Sequence, residues 1–170
     1  MVSEKTSSLA LPPHLWALLQ QGLPAGGAFK DRRKRLVLFL TMRCALTVSE
    51  IVNLTLGSIQ AHAGSPEEVA EWLEVRTIGN VGSDERLIVG SAKGTAITPM
   101  GLYGICQAHM ARCLQGYDIA QMGPNTLRNT CITLRLNQGV ALPAILRRCG
   151  LKDEELLTRL QRHLLPAEAL

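Results

Sequence analysis

Apolar and polar positions along the chain change period twice, and the changes divide it into three stretches. In the first, "LPPHLWALLQQGLPAGG" predicts a short helix opened by Pro12 and Pro13 and closed by Gly22 and Pro24. A second helix is expected from near Phe29. It starts with the basic run "KDRRKR" (30–35) and continues as "LVLFLTMRCAL", which is too apolar to lie on a surface. Thr47 followed three residues later by Glu50 is a capping-box pattern, so a further helix should begin at Val48. "SIQAHAGSPEE" reads as a loop, with Gly64 and Pro66 interrupting regular structure.

The middle stretch alternates. "EWLEVRTI" and "ERLIV" flank the turn-rich "GNVGSD", the pattern of a β-hairpin or small antiparallel sheet. The helical period then returns. Thr98 caps a helix with Pro99 at its first position, placing Leu102, Ile105, Cys106, His109 and Cys113 on one face. Three more helices are expected: one from Asn125 or Thr126 to Gly139, one over "LPAILRRCG", and one over "DEELLTRLQRHLL" before Pro166. Helices, a small sheet, then helices describe an α+β fold that is mainly α. The expected organisation is a flexible tail over 1–10 and a single domain over 11–170.

Composition narrows the function classes. Of 170 residues, 46% are hydrophobic and 19% charged, as befits a globular chain. Aromatics are only 4%, which argues against base stacking as a binding mode. A formal charge of +4 leans mildly toward a polyanionic partner. The five cysteines (Cys44, Cys106, Cys113, Cys131, Cys149) contain no CxxC pair. They are expected as reduced, buried thiols, with no metal site and no cofactor. Charged residues interrupt every apolar run before membrane-spanning length, and the N-terminus lacks a cleavable signal pattern. A cytoplasmic location without membrane contact is the expectation.

Three local stretches carry a resemblance. "LFLTMRCALTVSEIVNLTLGSI" is similar to the segment around G-L-R-x-S-E-L in the catalytic domain of the tyrosine recombinases, also called phage integrases. "NTLRNTCITLRLNQGVALPAILRRCGL" resembles their H-x-L-R-H-T-F-A-T and the helix ending in L-G-H. "IGNVGSDERLIVG" is similar to their lysine-bearing hairpin. The resemblance runs from about Leu11 to the C-terminus and implies a tyrosine-recombinase-like catalytic domain. It implies no N-terminal core-binding domain here, because only a few residues precede the first helix, so any grip on DNA would be one-sided.

In that family a tyrosine attacks the scissile phosphate, while two arginines, a lysine and two histidine-type groups neutralise charge and move protons. By the resemblance, the first arginine falls at Thr47 and the lysine near Val81, with no lysine in the hairpin. The two histidines fall at Asn125 and Asn129, and the second arginine is retained as Arg128. The position after "CG" is Leu151, and the nucleophile falls at Leu160. Tyr103 and Tyr117 both precede Arg128, and Thr158 lacks a base beside it. The resemblance therefore implies a chain without catalytic residues.

The expected function is a catalytically inactive, tyrosine-recombinase-like DNA-binding protein, a regulator or accessory factor of a mobile element, plasmid or phage. The candidate interface is a basic face of Arg128, Asn125, Asn129, Lys93, Arg86 and Arg43 on double-stranded DNA. Asn donates hydrogen bonds to phosphate or base edges but supplies no proton. The run Lys30–Arg35 is a further phosphate-contact candidate, competing with a solvated helix start. The alternative is a protein-interaction module binding a recombinase or another partner without DNA. In that reading the tail "RLQRHLLPAEAL" serves as the contact, whether to a second copy or to that partner, in competition with folding back on its own core.

Overall fold

The computed structural model describes residues 10–25, 27–59, 66–76, 82, 85–90 and 94–149. Among these residues the elements are α1 (Pro13–Gln21), α2 (Phe29–Met42), α3 (Val48–Asn53), a single 3-10 turn (Leu56–Ser58), α4 (Glu67–Arg76), α5 (Pro99–Cys113), α6 (Pro124–Asn137) and α7 (Leu142–Cys149). None of the helices among the described residues is long and apolar enough to cross a membrane.

The centre of the fold is α2, which packs against α4, α5 and α6. Its second half has no polar face to speak of. Leu36, Val37, Leu38, Leu40, Thr41 and Met42 are all buried, and the Thr41 hydroxyl donates to the Val37 carbonyl at 2.8 Å. A helix apolar on every side must be enclosed on every side, as this one is.

Local sequence signals set most helix starts. The Thr47–Glu50 capping box forms as expected: the Glu50 N–H donates to Thr47 Oγ1 at 3.2 Å, and the Thr47 N–H donates to Glu50 Oε2 at 2.7 Å. Thr98 caps α5, accepting from the Gly101 N–H at 3.0 Å, with Pro99 at the first position. α6 starts one residue earlier than expected because Pro124, with no N–H to lose, takes the first position. Gly123 before it is needed for space: a Cβ there would lie 2.7 Å from the Tyr103 ring. α6 ends at Asn137, and Gly139 turns the chain out with φ 77°.

The middle of the chain departs from expectation. Glu67–Arg76 is a helix, not the first arm of a hairpin. Val69, Trp72 and Arg76 bury one face at i, i+3 and i+7, a helical spacing, whereas Leu73, Glu74, Val75 and Arg76 taken alone alternate apolar and polar. Trp72 is fully buried; it donates from Nε1 to the Leu87 carbonyl at 2.8 Å and packs its ring 5.1 Å from that of Phe29. The turn "GNVGSD" lies mostly outside the described residues. Antiparallel pairing is limited to isolated bridges, Thr55 with Arg86 and Val89 with Ala96, and no strand forms among the described residues.

The side chains of four of the five cysteines are described, all as free thiols. Cys106 and Cys131 are buried, and Cys44 and Cys113 half-buried. Burial pushes the Cys106 thiol up to about 12, against a hydrogen bond from Thr41 that lowers it. His109 is structural: its Nε2 lies 3.0 Å from the Leu19 carbonyl, and Arg112 reaches Nδ1 at 3.2 Å. A carbonyl partner on one side and a guanidinium on the other fix a neutral ring with its proton on Nε2.

Burial lowers the His109 pKa, the Leu19 hydrogen bond opposes this, and the Arg112 charge adds to the lowering; Cys113 Sγ is the other polar neighbour, at 3.8 Å. The folded-state pKa thus lies below the unfolded value of 6.5. The ring's contribution to stability is complete above that value and is lost as pH falls through the folded pKa. Denaturation of wild type and His109→Gln across this range should show a steeper acid-side loss for wild type, because Gln still donates to Leu19 but takes up no proton.

Candidate nucleic-acid interface

α6 grips the connection between α2 and α3 along one face. Arg128 donates from Nε to the Ala45 carbonyl at 2.8 Å, the Cys131 thiol meets the Arg43 carbonyl at 3.7 Å, and Arg135 donates to that same carbonyl. Positions 128, 131 and 135 are i, i+3 and i+7, so three contacts follow from a single helical stripe. The segment they hold is unusual: Ala45 is buried with φ 56°, the left-handed region that costs a residue with a Cβ about 1 kcal/mol or more. Immediately beyond it Thr47 opens α3 as a helix cap.

This geometry sorts the six candidates. Arg128 is only 7% exposed and Asn129 8%, so neither is a surface side chain. Asn125 and Arg43 are exposed. Asn125 occupies the second position of α6, where Pro124 has no N–H and the Thr126 and Leu127 amides turn back to the Gly123 carbonyl. The Asn125 side chain and amide therefore stand at the positive end of the helix dipole. Arg43 exposes its side chain while its carbonyl anchors α6. Arg86 is exposed too, but belongs to the far end of α3, with Nη1 donating to the Asn53 carbonyl at 2.8 Å. Lys93 lies outside the described residues.

The structure thus brings Arg128 and the Arg43 backbone to one junction, places Asn125 one turn before Arg128 and Asn129 next to it on α6, and sets Arg86 one short helix away. Sequence reasoning missed Arg135, although its spacing from Arg128 was visible. The positive field at the junction registers on Cys44: burial raises its thiol pKa, Arg135 and Arg43 pull it down, and Glu68 raises it.

The basic run has a different destination. Arg35 pairs with Glu67 at 3.1 Å, Glu71 at 3.0 Å and Glu68 at 3.9 Å, all on α4. Arg32 reaches Glu74 at 3.9 Å and the Glu71 carbonyl at 3.4 Å, and Arg33 donates to the Gly90 carbonyl. Three of its five cations therefore fasten α2 to its neighbours, which accounts for cations at an otherwise unfavourable helix N-terminus.

No family model matches the chain, and no curated protein matches it in sequence. Solved structures do. The crystal structure of XerA recombinase superposes with a TM-score of 0.71 at 17% identity, over 96% of this chain and 63% of that one. The XerH site-specific recombinase, bound to its difH substrate in a pre-cleavage complex, gives 0.70 at 20% identity, over 96% and 53%. The fold is recombinase-like, and the chain spans less than two thirds of either neighbour.

Proposed function

We propose that this protein binds double-stranded DNA through the junction of α6 with the α2–α3 connection, and that it does not cut the strand it holds. The carrying observation is the pairing of an anchored Arg128 with Thr47. The first supports the α6 N-terminus as a phosphate seat. The second uses as a helix cap the position where the resembling family places a cation. The XerH neighbour, solved bound to its difH substrate, supports DNA as the class of ligand. With Asn125 as a neutral donor and Leu160 where the resemblance places the nucleophilic tyrosine, the site can hold a phosphodiester but has no group of its own to attack it. Its role is that of a regulator or accessory factor for a mobile element, plasmid or phage, working in the cytoplasm where that DNA resides.

Fluorescence anisotropy with a panel of duplexes tests the reading. Contacts from Arg43, Arg86 and the α6 N-terminus correspond to about three phosphates, so affinity should fall ~40-fold between about 50 and 200 mM salt. Supercoiled plasmid incubated with the protein should stay unnicked. Nicking would overturn the inactive reading, and absence of binding at low salt would overturn the DNA reading. In that second outcome the protein-partner reading gains. The groove beside Arg43, about 320 Å³ and lined by Trp16, Met42, Cys131 and Leu134, is then the surface to test.

A further inference from the structure

A second cavity has no part in that interface. It opens between the α1–α2 connection, the first turns of α2 and the C-terminal half of α5, with a volume of about 520 Å³. Lys34 and Arg43 are nine residues apart on α2, so the cavity sits roughly 13 Å along the helix axis from the junction. Its apolar lining is aliphatic: Pro24, Ala25, Leu38, Ile105 and Ala108, with no Phe, Tyr or Trp. Its charged groups are Lys34, Arg112 and Asp31, with neutral His109 beside Arg112.

These charges are treated unlike their neighbours. Arg32 and Arg35, on the other side of the same helix turns, meet glutamates of α4. Among the described residues Lys34 forms no ion pair. Arg112 bonds through Nη2 to the Gly22 carbonyl and His109 Nδ1, so it is fixed in place by neutral acceptors and forms no ion pair among the described residues. Asp31 lies one turn before Lys34, yet pairs with neither cation. A cavity of several hundred Å³ with apolar walls and a few convergent polar groups has the form of a small-molecule site.

We propose that this cavity binds a small aliphatic carboxylate, its head between Lys34 and Arg112 and its tail against Leu38, Ile105 and Ala108. The guanidinium presents a planar fork that suits a carboxylate, and apolar walls that are all aliphatic suit a tail of the same kind. Asp31 works against such an anion. It sets the sign of the test.

Amide chemical shifts followed by NMR during titration with octanoate should move at residues 31–34 and 105–112, with a dissociation constant below about 1 mM. Lys34→Gln should weaken octanoate about tenfold through loss of a charged hydrogen bond. Asp31→Asn should tighten it, and Lys30→Gln, off the cavity, should leave it unchanged. Octanoate that moves no signal would overturn the site. So would equal binding of hexanol, which would leave only an apolar hollow, or equal binding of inorganic phosphate, which would leave only a surface anion contact. None of these outcomes depends on DNA, so this site and the DNA interface stand or fall separately.

Discussion

Replacing Asn125 by aspartate is expected to lower duplex affinity by about tenfold or more while leaving the fold as stable as before, or more so. The two effects have opposite signs because one feature causes both. Asn125 is exposed at the second position of α6, after a proline with no amide hydrogen. A carboxylate there favours the helix dipole by roughly 0.3–1 kcal/mol. The same carboxylate would confront any phosphate seated on that helix end. Two unit charges at contact distance near a protein surface repel by up to about 4 kcal/mol before screening, so a tenfold loss is the low end. Asn125→Ala should do much less, since it removes one neutral donor and adds no charge. Thermal melts beside anisotropy separate the cases. An aspartate variant that melts normally and binds DNA as well as wild type would remove the α6 N-terminus from the interface, and with it the proposed function.

What the sequence made legible follows the range of the interactions involved. The Thr47–Glu50 box and the Thr98–Pro99 start were readable because cap and helix lie within four residues of each other. α6 was readable from its motif, missing its start by a single residue at Pro124. Misreading α4 as an arm of a hairpin came from a short window, in which Trp72 and its neighbours satisfy two periods, and only docking on Leu87 and Phe29 selects the helix. The basic run was ambiguous for the same reason. Its partners on α4 lie more than thirty residues away, at Glu67 and Glu71, and nothing local announces them. At the candidate site the identity of Arg128 was legible and its situation was not. A guanidinium near a helix start reads as a surface cation, whereas here it is buried against a carbonyl of another segment.

That situation makes Arg128 primarily an anchor, and Arg128→Ala should cost about 3 kcal/mol of stability. The loss has two parts. A charged hydrogen bond disappears, and the Ala45 carbonyl keeps its buried place without its Arg128 donor. For a domain of this size the melting temperature should fall by about 6–12 °C. Lysine should not rescue it, because an ammonium at the end of a flexible stem cannot reproduce the side-on Nε donor of a guanidinium. Ala45→Gly gives an independent handle on the same junction. It relieves the left-handed strain at φ 56° and should stabilise wild type by roughly 0.5–1 kcal/mol, the strain relieved less the added chain entropy of glycine. In Arg128→Ala that gain should change, because the backbone at 45 is no longer held where the strain arises. A double-mutant cycle reads this as a coupling energy. If Arg128→Ala melts with wild type and couples to nothing at Ala45, the guanidinium is not an anchor. Its loss of DNA affinity could then be read directly as a lost phosphate contact. If it melts early, as expected, DNA binding must instead be compared at temperatures where both proteins are folded. The weight of the interface then rests on the exposed groups that Arg128 holds in place, Arg43 and Asn125.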